Sequence, residues 1–239
     1  MILYKNNKYM YILNIYVYNK ELMGGIIMYK KFFKRMIDIL ATLILIIALS
    51  PVLLIVSISV AINLGFPVLF KQQRPGKGGK IFNIYKFRTM TNEKDMNGYY
   101  LADDVRLTKF GKFLRRTSFD ELPQLVNILK GDMSIVGPRP LITDFVTYYT
   151  VEEKHRLDVR PGLTGLAQIN GRSELPYEDR FRYDLQYIQN ITFINDLKIF
   201  FKTIKKVIKK ADTQDRGMDD VKSFFESRKQ VKEYYSNKY

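Results

Sequence analysis

Two adjacent carboxylates that follow two guanidinium groups are the residues of this chain best placed to do chemistry. Asp120 and Glu121 come after Arg115 and Arg116, at the start of a predicted helix. The chain has one histidine and no cysteine, so histidine-activated nucleophiles and thiol chemistry are nearly excluded. Carboxylates are the obvious remaining catalysts, and neighbouring arginines suit a phosphate-bearing substrate.

The same segment also matches a helix-capping pattern. Ser118 and Glu121 have the spacing of a capping box, and acidic residues are favoured in a first turn. Capping by Ser118 would place Pro123 too far into the helix, whereas capping by Asp120 keeps it inside the first turn. Pattern alone leaves capping and catalysis open. Both are compatible, because a helix amino terminus favours an ionised carboxylate and attracts phosphate.

An uncharged, apolar run precedes this segment. No charged residue occurs from Ile39 to Phe70, and a straight helix over the apolar part, Ile39 to Phe66, would reach roughly 42 Å, more than the roughly 30 Å hydrocarbon core of a bilayer. Ser50-Pro51 divides it into halves of about 18 and about 24 Å, each too short to cross. Both flanks are basic, which favours the cytoplasm for both ends: Lys30, Lys31, Lys34 and Arg35 before it, and Lys71, Arg74, Lys77 and Lys80 after it.

Two membrane arrangements therefore remain: a kinked spanning helix, and a re-entrant helix-break-helix anchor over residues 28–66. In the second, the Ser50 hydroxyl would help to satisfy the backbone groups that Pro51 frees. Asp38, at the mouth of the run, is expected at the membrane interface near Arg35.

Residues 1–27 differ in composition from the rest and lack a signal-peptide cleavage pattern. Gly24 to Met28 could be encoded by GGA-GGA-ATA-ATA-ATG, a purine-rich ribosome-binding sequence followed by a start codon. We predict that residues 1–27 are a non-native leader and that the protein begins at Met28.

The rest of the chain predicts short mixed elements. Two β-rich segments flank the glycine-rich turn Pro75 to Gly79, and helical patterns follow over Leu107 to Arg116 and Leu122 to Leu129. The expected fold is α+β and mainly α-helical. It comprises the membrane anchor broken at Ser50-Pro51, a small β-hairpin, interfacial helices and a compact cytosolic catalytic domain over residues 67–210.

The end of the chain carries an amphipathic pattern and then a polar segment. Between Phe193 and Ile208 an apolar stripe alternates with lysines, which fits core packing or a helix lying on anionic lipid. Residues 211–239 are polar, and we expect a loosely held tail.

Several basic and amide side chains are further candidates for substrate binding. Lys86 and Arg88 alternate along a predicted strand and would share one face, although a solvated face is the simpler interpretation. Arg139 lies in Gly137-Pro138-Arg139-Pro140, where the prolines stiffen an extended segment; a structural turn is about as compatible. The glycine-punctuated segment from Arg160 to Arg172 adds guanidinium and amide donors. It lacks the endings of a P-loop and of a dinucleotide-binding loop, so no nicotinamide or flavin chemistry is indicated.

The formal net charge of +15 points to anionic partners. Acidic lipid headgroups, phosphorylated substrates and nucleic acid would all satisfy it. The chain shows no recognised nucleic-acid motif, so we expect no nucleic-acid partner.

Five motifs in order resemble the bacterial sugar transferase family, the monotopic polyprenyl-phosphate phosphoglycosyl transferases, in its small form. The resemblance covers about Tyr29 to Lys210. It rests on Ser50-Pro51, Tyr85-Lys86-Phe87-Arg88-Thr89-Met90, Arg115 to Gln124, Gly137 to Pro140, and Arg160 to Arg172.

The resemblance implies an activity: transfer of a sugar-1-phosphate from a UDP-sugar to polyprenyl (undecaprenyl) phosphate, with release of UMP. Asp120 would be the nucleophile that forms an aspartyl-phosphosugar and would bind Mg²⁺, with Glu121 as its partner. Substrate-binding roles would fall to a set of basic and amide residues: Lys86, Arg88, Arg115, Arg139, Arg160, Gln168 and Arg172.

The resemblance also implies a setting. Such a transferase acts at the cytoplasmic face of the bacterial inner membrane, in the first membrane step of exopolysaccharide, capsule, lipopolysaccharide O-antigen or glycoprotein glycan assembly. The re-entrant anchor becomes the favoured arrangement, and anionic lipid is an expected partner. A homo-oligomer and downstream glycosyltransferases are left open as protein partners.

Two rival functions remain at this level. A membrane-bound nucleotide-sugar phosphohydrolase would pass the aspartyl-phosphate to water and need no polyprenyl phosphate. A basic membrane scaffold would need no carboxylate chemistry at all.

Overall fold

The structure is a computed structural model that describes residues 25, 27–171, 175–209 and 218–236. The predicted leader, residues 1–27, therefore lies outside the described residues except at positions 25 and 27. Arg172 also lies outside them, so the substrate-binding role predicted for it stays a prediction.

The elements follow one another in this order. The first half contains a π-helical turn (Tyr29–Phe33), α1 (Lys34–Leu64), β1 (Leu69–Pro75), a 3₁₀ turn (Lys77–Gly79), β2 (Ile81–Phe87), α2 (Asp103–Arg106), α3 (Lys109–Thr117) and a 3₁₀ turn (Phe119–Glu121). The second half contains α4 (Gln124–Lys130), β3 (Ser134–Val136), 3₁₀ turns (Thr143–Tyr148 and Glu153–Asp158), β4 (Gly162–Thr164), α5 (Leu166–Ile169), α6 (Tyr177–Gln189), α7 (Phe193–Lys209) and α8 (Met218–Ser236).

The apolar run forms a single helix, so the predicted break into two helices is wrong. Pro51 lies inside α1, which continues from Lys34 to Leu64. The proline has no N–H to donate to the carbonyl of Ile47, four residues earlier. The Ser50 hydroxyl donates to that carbonyl instead, at 2.8 Å. The predicted role of Ser50 is therefore confirmed, and it explains why the helix continues through Pro51.

One face of α1 packs on the rest of the protein along the whole helix. Before Pro51, the side chains of Ile37, Ala41 and Leu45 join the main core, and after it Val56 and Val60 are buried in a second core cluster. The opposite face is apolar and exposed: Leu40, Ile44, Ile47, Leu54, Ile58 and Ile62. Together with the π-helical turn, α1 forms a 36-residue helix that is long and apolar enough to cross a membrane. Of its most apolar 18-residue stretch, 11% is buried.

Polar contacts fasten the start of α1 to the domain. Asp38 is 4% exposed and accepts hydrogen bonds from the Ser134 hydroxyl at 2.7 Å and the Ile135 N–H at 3.1 Å. Protein groups therefore solvate the Asp38 carboxylate, and its position at the membrane interface stays a prediction. Nearby, Arg35 donates to the Ile128 carbonyl at the end of α4, at 2.6 Å.

The hairpin and the two middle helices are confirmed. Strands β1 and β2 pair antiparallel, with Phe70 opposite Lys86 and Arg74 opposite Phe82. Helix α4 ends at Gly131, whose φ of +90° is the left-handed conformation that glycine adopts at helix ends.

The glycines of the Arg160 to Arg172 segment serve close packing. Strands β3 and β4 are parallel, with Ser134 opposite Gly162. A Cβ atom on Gly162 would lie 2.1 Å from the Gly137 nitrogen, and one on Gly165 would lie 2.2 Å from the Gly137 oxygen. Only glycine allows the two backbone segments to approach this closely. The contact fixes the direction of the chain as it leaves Gly137 for Pro138 and Arg139.

Helix α7 turns much of its apolar stripe outward. Phe193, Leu197, Phe201 and Ile208 are exposed, whereas Ile199 is buried on the side that faces the domain. Core packing therefore does not explain this stripe. It adds a second apolar surface to the exposed face of α1.

The predicted loose tail contains a docked helix. In α8, Phe224 is 5% exposed and belongs to a third core cluster with Phe145, Tyr149 and Phe181. The polar composition of residues 211–239 concealed an aromatic pair, Phe224 and Phe225, that packs on the domain.

Candidate functional site

The turn that carries the two carboxylates rests on the second half of α1. Helix α3 ends at Ser118, whose φ of +59° is left-handed, and the 3₁₀ turn Phe119–Glu121 follows at once. Phe119 and Leu122 pack against the cluster that contains Val56 and Val60 of α1. The apolar residues on either side of Asp120 and Glu121 therefore fix their position relative to the apolar helix.

The capping interpretation of this segment is wrong. Neither Ser118 nor Pro123, the residues before the 3₁₀ turn and before α4, makes a side-chain capping bond. Asp120 lies within the 3₁₀ turn itself, and the oxygens of Glu121 are engaged by side chains of other elements. The acidic pair is therefore held by tertiary contacts and not by a helix end.

Glu121 is fixed between two cations. Its Oε1 lies 2.7 Å from the Lys86 Nζ on β2 and 2.6 Å from the Arg139 Nη2 after β3. Burial would raise the pKa of Glu121, but the charges and hydrogen bonds of Arg139 and Lys86 outweigh burial and hold that pKa well below its usual range. Glu121 is therefore ionised at neutral pH.

Asp120 is more buried and less strongly paired. The residue is 6% exposed, and its Oδ2 lies 4.0 Å from the Lys86 Nζ, beyond hydrogen-bond distance. Burial and the charge of Glu121 raise the pKa of Asp120 to about 6, although Lys86, Arg115 and Arg139 oppose the shift. The two carboxylates thus differ: Glu121 is paired with cations, and Asp120 is left with a raised pKa.

Arg115 reaches the site through a close helix–strand contact. A Cβ atom on Gly111 would lie 1.8 Å from the Thr89 carbonyl oxygen, so glycine is required where α3 crosses the chain after β2. One turn later, the Arg115 Nε donates to the Thr89 hydroxyl at 3.1 Å. The charge of Arg115 acts on Asp120 from this position.

A large cavity joins this polar site to an apolar wall. Its volume is about 1380 Å³. The polar end includes Lys86, Arg115, Asp120, Glu121 and Arg139. The apolar wall is formed by side chains of α1, β4 and α7: Leu45, Leu49, Leu163, Phe200, Ile204 and Ile208.

Two of the predicted substrate-binding arginines make structural contacts, although Arg88 also lines the cavity. Arg88 is 7% exposed and donates to the Leu64 carbonyl at 2.6 Å and the Pro67 carbonyl at 3.0 Å, so it closes the carboxyl end of α1. Arg160 donates to the Gly131 carbonyl at 2.8 Å, at the end of α4. Both make structural contacts that an alternating or glycine-rich pattern does not reveal.

Gln168 does lie at the cavity. It is 7% exposed, and neither its amide oxygen nor its amide nitrogen has a hydrogen-bond partner in the described part of the chain. A buried amide without partners is costly, so it is a candidate for contact with a bound polar group.

Two residues of the site are not predicted as binding residues by the sequence patterns. Arg74 lines the cavity, and burial together with the nearby charge of Arg139 lowers its pKa to about 10. It alternates with Gln72 along β1, a pattern that could have indicated it. Arg156 also lines the cavity, 4% exposed and paired with Asp184 at 2.9 Å. No local pattern indicated Arg156.

The donor set suits Mg²⁺ without a dedicated cage. Among the described residues, no group of three or more His, Cys, Asp or Glu side chains is arranged to hold a metal. Mg²⁺ commonly uses one or two carboxylates and completes its shell with water and substrate phosphates. With Glu121 engaged by two cations, Asp120 is the carboxylate of the pair that would hold the ion.

Two differently paired carboxylates, surrounded by cations beside an apolar wall, form a site suited to phosphate groups. Comparison with known proteins specifies the class. The family model described as "Bacterial sugar transferase" matches residues 29–210. The match covers most of the chain, so the chain belongs to the bacterial sugar transferase family.

Individual relatives agree with this assignment. The chain is 49% identical over 175 residues to the "Uncharacterized sugar transferase EpsL" of Bacillus subtilis, covering 73% of this chain and 87% of that protein. It is 44% identical over 184 residues to the "UDP-glucose:undecaprenyl-phosphate glucose-1-phosphate transferase" of Klebsiella pneumoniae, covering 73% and 40% respectively. It is 38% identical over 197 residues to the "Undecaprenyl-phosphate galactose phosphotransferase" of Salmonella typhimurium, covering 75% and 41%. The chain thus spans about two fifths of the two longer relatives.

The raised pKa of Asp120 predicts that Asp120→Asn stabilises the fold. An acid whose pKa is about 6 when folded and about 3.9 when unfolded destabilises the protein once the pH exceeds the unfolded value, and fully above pH 6. We expect Asp120→Asn to raise the free energy of unfolding by roughly 1 to 3 kcal/mol at pH 7.5, and by much less at pH 4.5. Thermal unfolding at both pH values measures this, with Asp104→Asn on the surface as the control. A gain that is equal at both pH values would contradict the prediction.

Proposed function

We propose that this protein transfers a sugar-1-phosphate from a UDP-sugar to polyprenyl phosphate, releasing UMP, through an aspartyl-phosphosugar on Asp120. The observation that carries the proposal is the divided acidic pair. Glu121 takes the hydrogen bonds of Lys86 and Arg139, and Asp120 is left to attack. The names of the Klebsiella and Salmonella relatives support the substrate class.

The chemistry has two displacements at phosphorus. A carboxylate oxygen of Asp120 attacks the phosphorus that bears the sugar, and the bond from that phosphorus to the bridging oxygen breaks, so UMP leaves with the electron pair. A phosphate oxygen of the polyprenyl phosphate then attacks the same phosphorus. Its bond to the Asp120 oxygen breaks and the carboxylate is regenerated.

The cations around the pair account for the rest of the catalysis. Lys86, Arg115 and Arg139 would bind the diphosphate and offset the charge that develops during each transfer. Mg²⁺, held by Asp120 and the substrate phosphates, would supply further charge stabilisation. Because Glu121 keeps Lys86 and Arg139 in place before substrate arrives, little reorganisation is needed.

The acceptor fits the second half of the cavity. A polyprenyl phosphate has an anionic head and a long apolar chain, and the cavity has a cationic end and an apolar wall on α1 and α7. We place the phosphate near Asp120 and the first prenyl units against Leu49, Phe200 and Ile204.

We also propose a monotopic arrangement on the cytoplasmic face of the inner membrane. Both halves of α1 contact the same domain, so no stretch of the helix is left free of protein as a spanning helix would be. The exposed faces of α1 and α7 would enter one leaflet, where anionic lipid would meet lysines such as Lys198, Lys202 and Lys205. In this arrangement α1 lies in the interface as one continuous helix.

Substitution of the acidic pair tests the chemistry. We expect Asp120→Asn to abolish turnover and Glu121→Gln to reduce it by roughly 100-fold or more, because the second variant frees both cations from their position. The assay measures UMP release from a panel of UDP-sugars by membrane-embedded protein, with and without polyprenyl phosphate. Membrane association should be unchanged in both variants.

The same assay separates the alternatives. Steady UMP or sugar-phosphate release without polyprenyl phosphate would identify a hydrolase. Full activity in Asp120→Asn would remove that residue from the chemistry.

The acceptor site predicts a selective defect. We expect Ile204→Asn, on the apolar wall, to raise the KM for polyprenyl phosphate by about tenfold through lost apolar contact. The exchange of labelled UMP with UDP-sugar, which needs only the first displacement, should stay within about twofold of wild type. Leu197→Asn, on the same helix but outside the cavity lining, is the matched control. Equal effects of both substitutions would contradict this site.

Topology can be tested directly because the chain has no cysteine. We expect single cysteines at Lys31→Cys and Lys71→Cys, on either side of α1, both to react with an impermeant thiol reagent only from the cytoplasmic side. Tyr99→Cys, exposed on the catalytic domain, is the positive control. Reaction of the two α1 positions from opposite faces would establish a spanning helix instead.

A further inference from the structure

The Arg139 side chain reaches the catalytic pair from a loop, and a buried arginine holds that loop. Arg139 follows β3 in the Gly137 to Pro140 segment, and its side chain is 43% exposed. Its carbonyl oxygen accepts a hydrogen bond from the Arg156 Nη2 at 2.9 Å. The contact fixes the backbone from which the Arg139 guanidinium extends to Glu121.

Arg156 is buried and contacts several polar and aromatic side chains. Its side chain is 4% exposed, and its Nε lies 2.9 Å from the Asp184 Oδ2 of α6. Its Nη1 donates to the Tyr149 hydroxyl. The guanidinium also lies over the rings of Phe181, at 4.7 Å, and Tyr149, at 5.2 Å. Burying a charge this deeply is costly, so such an arrangement needs a compensating role or geometry.

Helix α8 completes the surroundings of Arg156. Phe224 stacks on Phe145 with ring centroids 5.1 Å apart, and packs edge-on against Phe181 at 5.8 Å. Arg228 donates to the Glu153 Oε1 at 2.7 Å, in the same 3₁₀ turn that carries Arg156. These contacts come from a helix that lies after residue 210, where the family match ends.

We propose that Arg156 is a positioning residue that acts on the catalytic pair through Arg139, and that α8 is the clamp that holds Arg156 in place. The proposal rests on the proposed function, since it assigns a catalytic consequence to contacts about the same site. It also gives the carboxyl-terminal helix a role in catalysis that the family match does not cover.

The separation of kcat from KM gives a specific readout. The Arg139 guanidinium is placed to bind the diphosphate of the UDP-sugar, so its displacement raises the KM for the UDP-sugar and also lowers kcat. A variant that merely unfolds a fraction of the molecules lowers the apparent kcat and leaves KM in place.

A double-mutant cycle tests the link between the two arginines. We expect Arg156→Met to lower kcat/KM for the UDP-sugar by about 10- to 100-fold and to raise KM, with partial rescue by Arg156→Lys. In an Arg139→Ala background, the same Arg156 substitution should change kcat/KM by less than about threefold, because the guanidinium that Arg156 positions is absent there. Additive losses in the cycle would overturn the proposal.

The clamp is tested on the surface of the domain, where folding is least at risk. We expect Arg228→Ala to raise the KM for the UDP-sugar as Arg156→Lys does, and Lys229→Ala, its exposed neighbour, to leave both kcat and KM unchanged. If Arg156→Met fails to fold, Arg156→Lys and Arg228→Ala decide, and an unchanged KM in both refutes the clamp. The failures stay distinguishable: a wild-type protein without lipid-dependent turnover defeats the proposed function, whereas an active wild type whose variants keep the wild-type KM defeats only this inference.

Discussion

The Glu121 carboxylate, held between Lys86 and Arg139, is the interaction on which the site depends. It joins three separate parts of the chain: the hairpin, the catalytic turn and the loop after β3. Two adjacent carboxylates would otherwise repel each other and compete for the same cations. Glu121 takes both close contacts and stays ionised. Burial and then the charge of Glu121 raise the pKa of Asp120, which gives the two carboxylates different chemical characters. Adjacent residues of similar type therefore acquire different roles from their contacts alone.

The apolar helix imposes the second constraint. Its sequence is hydrophobic on every side, so composition cannot tell which face meets protein and which meets lipid. The division comes from packing, with Val60 fully buried and Ile62, two residues later, 78% exposed. Since both halves of the helix contact the domain, the apolar surface left over forms one continuous stripe beside the cavity. An acceptor with an apolar chain and an anionic head would fit this geometry.

Local chemistry was readable from the sequence where it depended on residue type and short spacing. The acidic pair, the hairpin with its glycine turn, the end of α4 at Gly131 and the use of the Ser50 hydroxyl beside Pro51 all belong to this kind. Contacts between distant parts of the chain are not readable in this way. Arg88 and Arg160 donate to carbonyls at the ends of helices distant in sequence, which their local patterns do not indicate, and their binding of substrate stays a prediction. The capping interpretation is wrong because the partners of Glu121, Lys86 and Arg139, cannot be seen in a local pattern. Phe224 looked like part of a polar tail because its aromatic partners lie 43 to 79 residues earlier.

The placement of the catalytic turn connects these constraints to function. Phe119 and Leu122, on either side of the acidic pair, pack on the same part of α1 as Val56 and Val60. The depth of Asp120 relative to a membrane is therefore set by the helix that would enter the lipid, and not by a flexible linker. On the other side, Arg139 is held by a buried network that extends to the carboxyl-terminal helix. In the proposed reaction, a nucleotide sugar would arrive from water and a lipid-linked phosphate would arrive along the membrane surface. Both would meet at Asp120, whose depth relative to the membrane and whose surrounding charges are set by the fold before either substrate binds. Two successive displacements at one phosphorus would benefit from this preorganisation.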